Sequence, residues 1–348
     1  MNSVGLILLG VAYPPNRGMG SSAFPRKRPR PQYASFTPVF TRAVNRTIFT
    51  ALGYSAVAAL LSPVYRMAYF AFSNHVGHSP YLPPWVTCDD LWFAVGLSSA
   101  ISFTYMVYNG CFYVCDTWKL CQQYKMPRKA AQEPSADLVS ATLKKELLAH
   151  SITGPAIMVL LAGPLLRHTG GGAASVVLPS AVPSFGRMVA TFTVQFLLNE
   201  MLFYSGHRLL HTPALYARIH KQHHSYKNTR SFAAEYAHVV EDVLTAYMPF
   251  LAGLVLMSAH FHIVFCWFLL RLTETYEGHS GYCLRDSVLG RLGLSHWRQA
   301  VFHDHHHTVN MGNFGWELLD YIFGTMDHWV VAGEVEGYLR GGSSSAKH

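Results

Sequence analysis

The stretch 91–115 runs for 25 residues without a charged side chain, and few folds accommodate such a segment. A helix needs about 20 predominantly apolar residues to cross a bilayer. Two other uncharged stretches, 47–65 and 147–166, approach the same length. A fourth, 188–199, extends to position 206 if Glu200 is tolerated, so its polar end leads into a histidine-rich region. The fifth, 243–270, is too short for two full crossings and long for one, and Pro249 and Gly253 predict that it breaks into a hairpin of two short helices. Only 13% of the 348 residues are charged and half are hydrophobic, against about 25% charged in an ordinary soluble domain. That balance excludes a disordered chain, a coiled coil and a collagen-like chain. The predicted fold class is an all-α membrane protein, with about four transmembrane helices plus a short helical hairpin, capped by a cytosolic histidine-rich helical domain.

Charge placement orients these segments. Seven basic residues and no acid precede position 47. The stretch 73–90 has no Lys or Arg, 116–146 has six, 167–187 has one at each edge, and 207–230 has five. Basic loops mark the cytosolic side. The alternation predicts four crossings with the leader, the 116–146 loop and the histidines on one face. The expected organisation is a basic, Pro- and Gly-rich disordered leader over 1–46 and a first transmembrane pair with its basic loop over 47–145. A catalytic domain follows over 146–330, then a tail over 331–348. No aromatic-interleaved basic surface accompanies the leader, so no nucleic-acid partner is expected. The six cysteines form no CxxC pair, and a disulfide framework is not expected.

Of the 20 histidines, 14 fall between His207 and His307. His207 and His211 stand four apart. His220, His223 and His224 follow at i, i+3 and i+4, and His303, His306 and His307 repeat that spacing. On a helix, each group shares one face. Neutral imidazole is the commonest metal ligand, and eight of them at one membrane face suit two ions. His238 and His279 are candidates to complete the shells, and His305 lies off the shared face. Metal-bound histidines commonly donate their second N–H to a carboxylate, and Glu235, Glu241 and Glu274 are candidates for that role. Glu274 and His279 are five residues apart, which turns them away from one another on a continuous helix. Gly278 is placed to end the helix and let His279 face the metals.

The segments HRLLH, HKQHH and HDHHH, in this order, resemble the fatty acid hydroxylase/sterol desaturase superfamily of membrane di-iron enzymes over about residues 145–330. Within it, 233–242, 271–282 and 303–326 look most like the 4-methylsterol monooxygenases. Two positions depart from that pattern: Val239 stands where the family usually has Pro, and His305 where it has Phe or Tyr. The resemblance implies a four-helix transmembrane bundle in the endoplasmic reticulum membrane with its site facing the cytosol. It implies two iron ions, dioxygen, and electrons from NAD(P)H through cytochrome b5 or its reductase as a separate donor protein. It also implies a lipid substrate, first of all a sterol precursor oxidised at its C4 methyl. The alternatives are a sterol desaturase, a hydroxylase of fatty acyl, sphingoid or sterol side-chain groups, and a non-catalytic zinc-binding membrane protein. A metallohydrolase is disfavoured by the absence of an HExxH motif.

Overall fold

The computed structural model describes residues 36–76, 87–158, 160 and 182–341. The leader before Phe36, most of the 73–90 and 167–187 loops and the distal part of the 147–166 stretch lie outside the described residues. The described chain is all-α, and its one antiparallel bridge, between Lys125 and Tyr282, ties the basic loop to the segment after His279.

Helix α1 spans Phe36–Val76 and α2 spans Cys88–Thr117. Helix α3, Ala136–Leu148, continues into a π-helical turn over Ala149–Thr153. Helix α4 covers Phe185–Leu210, and α5 covers Val239–Leu256 with a π-helical stretch at Asp242–Tyr247. Helix α6 is Phe261–Gly278, and α7, which carries the third histidine group, is Trp297–Val309. Among the described residues, α1, α2 and α5 are long and apolar enough to cross a membrane.

Local chemistry sets the boundaries. Thr87 and Asp90 form a reciprocal capping box that starts α2, and the Ser135 and Ser184 hydroxyls accept the first free backbone N–H groups of α3 and α4. Helix α1 begins at Phe36, well inside the stretch expected to be a disordered leader. Its extra turns are held by tertiary partners: Arg42 pairs with Glu317, and Arg46 with Glu200 and Glu274. At 41 residues α1 is about 60 Å long, roughly twice the hydrocarbon thickness of a bilayer.

The hairpin expected in 243–270 is present, but its break falls at 257–260, between α5 and α6, and not at Pro249 or Gly253. Pro249 follows closely on the π-helical stretch of α5, and the helix continues through it to Leu256. Gly253 instead permits a close approach, since a Cβ there would sit 2.4 Å from the Gln195 Cα of α4. Gln195 exploits that proximity, donating to the carbonyls of Pro249 and Phe250 and accepting from the Leu254 N–H.

The core joins Tyr54 of α1, Phe93 and Leu97 of α2, Phe192 and Phe196 of α4, and Trp267 of α6. Apolar side chains also point outward, among them Leu60, Phe103, Met106 and Leu256, as expected of helices facing lipid. A second cluster, including Val301, Phe302, Met326 and Trp329, backs α7 from the side away from the spans.

Candidate metal centre

Nine buried histidines converge into two adjoining groups. His207, His211, His220, His224 and His306 form the first, and His223, His279, His303 and His307 the second. Within each group the ligand nitrogens all lie within 4.8 Å of one another. The grouping refines the expectation of one face per motif. The pairs four residues apart, 207/211, 220/224 and 303/307, each stay in one group, while His223 and His306 enter the group opposite their neighbours. Successive helical residues are turned about 100° from each other, so 223 and 224, or 306 and 307, cannot aim at one point. The local backbone widens that divergence, because His220 ends a π-helical turn and His223–Ser225 is a 3₁₀ turn.

The other predicted residues are placed as follows. His279 caps the C-terminus of α6 immediately after Gly278 and reaches the second group, whereas Glu274 on the same helix turns to Arg46 and Arg271. His238 belongs to neither group; its Nδ1 accepts from the Val240 N–H at the start of α5. His305 is buried against Trp329 and Tyr338, outside both groups. Glu241 places Oε1 2.8 Å from His220 Nδ1. Glu235 accepts from the Tyr276 hydroxyl and lies 3.5 Å from His150.

Backbone carbonyls orient the rings. The Nδ1–H groups of His207, His306, His279 and His307 donate to the carbonyls of Phe314, Gly312, Thr275 and Tyr226, at 2.6, 2.6, 2.9 and 3.1 Å. Each such bond puts the proton on Nδ1 and leaves the Nε2 lone pair facing inward. Two of these carbonyls belong to one loop, shaped by Asp320, whose carboxylate accepts from Phe314 N–H, Gly315 N–H and the Thr325 hydroxyl. Asp304, between His303 and His305, is fully buried and accepts from Arg128, Thr229 and Tyr338. Arg128 reaches it by lying across Gly281, where a Cβ would fall 1.7 Å from the guanidinium. Neither Arg128 nor Asp320 carries a sequence signal of its own; spatial proximity alone reveals them.

The donor set fits metal ions. Burial, then the neighbouring imidazoles, pushes His220, His224, His303 and His307 far below the usual histidine range, so these rings are neutral at pH 7. His207 Nε2 and His220 Nε2 face each other at 3.0 Å, while His207 Nδ1 donates to the Phe314 carbonyl and Glu241 Oε1 lies 2.8 Å from His220 Nδ1. Two lone pairs that close repel unless a cation lies between them. Six such nitrogen pairs fall at 2.9–3.2 Å. Metal–nitrogen bonds of about 2.0–2.1 Å place ring nitrogens about 2.9 Å apart at right angles and about 3.3 Å apart at tetrahedral angles. Ring nitrogens at this spacing are close enough to share one ion.

The metal groups open onto a cavity of about 240 Å³, with His207, His220, His223, His279 and His303 in its wall. Much of the remaining wall is apolar, including Met158, Phe203, Phe250, Phe268 and Leu272.

The family profile described as fatty acid hydroxylase matches residues 192–325, the interval that holds all nine histidines. A Dictyostelium discoideum protein provisionally named a methylsterol monooxygenase is 30% identical over 220 residues, covering 63% of this chain and 77% of that protein. The chain belongs to the fatty acid hydroxylase family. Methylsterol monooxygenase 2-2 of Arabidopsis thaliana is 34% identical to this family member over 149 residues, 41% of this chain and 55% of that protein. A very-long-chain aldehyde decarbonylase of Oryza sativa subsp. indica is 36% identical over 149 residues, 41% of this chain and 54% of that protein. The chain thus spans about half the length of the first of the curated relatives it matches. No solved structure matches it.

Proposed function

We propose that this family member is a membrane di-iron monooxygenase that oxidises the C4 methyl group of sterol precursors. In this reading it works on the cytosolic side of the endoplasmic reticulum membrane, with electrons from NAD(P)H delivered by cytochrome b5 or its reductase. The observation that carries the reading is the pair of adjoining all-histidine groups in the wall of one largely apolar cavity. His207, His211, His220, His224 and His306 hold one ion, and His223, His279, His303 and His307 the other. Bound iron supplies redox reactivity toward dioxygen that amino-acid side chains lack, and that zinc also lacks.

The chain's own residues prepare the site. The carbonyls of Phe314, Gly312, Thr275 and Tyr226 hold four imidazoles in the metal-binding tautomer. Glu241 takes the Nδ1 proton side of His220 and strengthens its Nε2 as a donor. Phe203, Phe250, Phe268 and Leu272 offer a lipid an apolar wall that excludes water from the reacting carbon. A rigid ring system suits such a cavity because it loses little conformational entropy on binding.

The decarbonylase names among the relatives support a second reading, in which the substrate is a very-long-chain acyl or aldehyde lipid. Lipid profiling of cells that lack and then regain the chain separates the two. Accumulation of 4-methyl or 4,4-dimethyl sterols, reversed by the wild-type chain and not by His223→Ala, is expected. An unchanged methylsterol pool with altered long-chain aldehydes or acyl lipids would overturn the sterol reading and leave the metal centre standing.

A further inference from the structure

The cavity has a polar corner that the metal groups do not use. Glu146 at the end of α3, His150 in the π-helical turn after it, and Glu235 before α5 all line the cavity. Their ligand atoms lie within 4.8 Å of one another. Glu146 is only 2% exposed, yet no described residue donates a hydrogen bond to either of its carboxylate oxygens or engages His150 Nε2 in one. The nearest charges are Lys145 Nζ, 3.5 Å from Glu146, and Glu235 Oε2, 3.5 Å from His150. The rest of the corner is fixed. Tyr276 donates to Glu235, Lys145 donates to the Glu235 carbonyl, Ser102 lies 3.2 Å from His150 Nδ1, and the Tyr105 ring packs at a tilt against the His150 ring.

A buried acceptor left without a donor costs about 1–3 kcal/mol, and a rigid frame that retains one is built for a ligand atom. We infer that Glu146, His150 and Glu235 form the recognition site for a hydroxyl group on the lipid that the metal centre oxidises. This rests on the reading of the cavity as the seat of lipid oxidation. A hydroxyl both donates and accepts, so it can give its proton to one carboxylate and accept from whichever group of the corner holds one. Burial, then the adjacent Glu235 carboxylate, pushes Glu146 up to about 8, so a shared proton is present at neutral pH. A divalent cation is the less suitable occupant, because the Lys145 ammonium already stands beside the Glu146 carboxylate and donates to the Glu235 backbone carbonyl. The corner would thereby set which end of the lipid faces the metals.

The test uses the full chain, loaded with iron and reconstituted in phosphatidylcholine nanodiscs. Binding is measured for two probe pairs: a 4-methylsterol and its 3-deoxy analogue, and a hydroxylated long-chain acyl lipid and its deoxy analogue. Wild type should favour the hydroxylated member of one pair at least tenfold. Glu146→Gln, which keeps the shape, and His150→Phe, which keeps an aromatic ring against Tyr105, should reduce that preference to within about twofold with unchanged iron content. Discrimination in the acyl pair alone would leave this site standing and overturn the sterol reading. Equal binding of both members in both pairs would overturn the site. So would a third metal equivalent in wild type that Glu146→Gln removes, since the corner would then be a cation site.

Discussion

Arg46 of α1 and Glu274 of α6 are 228 residues apart in the sequence and form a hydrogen-bonded ion pair inside the helix bundle. Arg46 also pairs with Glu200 of α4, and Arg271 bonds both carboxylates from the other side. Two arginines and two glutamates thus close a buried ring that clamps three helices five residues below His279 and seven before His207. Removing one partner from such a ring leaves a buried charge undercompensated, at a cost of about 3 kcal/mol or more. Arg46→Ala should therefore lower the thermal unfolding temperature of the detergent-solubilised protein by several degrees. A ring that matters only electrostatically at the surface would instead show a change that vanishes in high salt.

Glu241→Ala should weaken metal binding by about 10- to 100-fold, because the His220 ring loses the carboxyl group that lies 2.8 Å from its Nδ1. Competition against a chelator, read as metal retained per chain, measures this. Val239→Ala, at an exposed position two residues earlier, should retain metal as wild type does.

Gly253→Val should destabilise the protein by about 1–3 kcal/mol through overpacking, since its Cβ would collide with the Gln195 backbone. Gly110→Ala serves as the control, because a Cβ there meets nothing within 4 Å. Equal unfolding temperatures for the two variants would refute the close approach of α4 and α5.

Glu146 gives stability a pH dependence of defined sign. Its carboxyl is raised from 4.5 to about 8 by burial and then by Glu235. Between those values the folded protein holds a proton that the unfolded chain has released, so this contribution to stability is full below about pH 4.5 and is lost as pH rises through 8. Glu146→Gln cannot ionise and should gain stability relative to wild type between pH 6 and 9, on the order of 2 kcal/mol. Parallel unfolding curves for the two proteins across that window would contradict the assignment.

Periodicity and charge alone determined that the chain is helical, that several segments are apolar enough to span a bilayer, and that the histidines at 207–224 and 303–307 come in helically spaced groups. Spacing within a helix is a local property, so each motif reads as one face; that holds for 207/211, 220/224 and 303/307, while His223 and His306 leave their motifs for the other group. Gly278 likewise reads as a local helix stop, and α6 ends there with His279 turned into the second histidine group. Tertiary structure decided the rest. Which histidines come together depends on how four separate segments meet, and the answer divides the second and third motifs between both groups. The leader's Arg42 and Arg46, which sequence alone assigns to topology, are spent on Glu317, Glu200 and Glu274 because α1 packs against α4 and α6. Gly253 reads as a helix breaker along the chain and becomes a contact surface when α4 approaches. Glu146 and His150 carry no motif, and only the folding of α3 against α2 and the segment before α5 makes them one polar corner of the cavity. Propensity and spacing act over one or two helical turns, whereas an ion pair, a close approach or a shared cavity is set by which distant segments the core brings together.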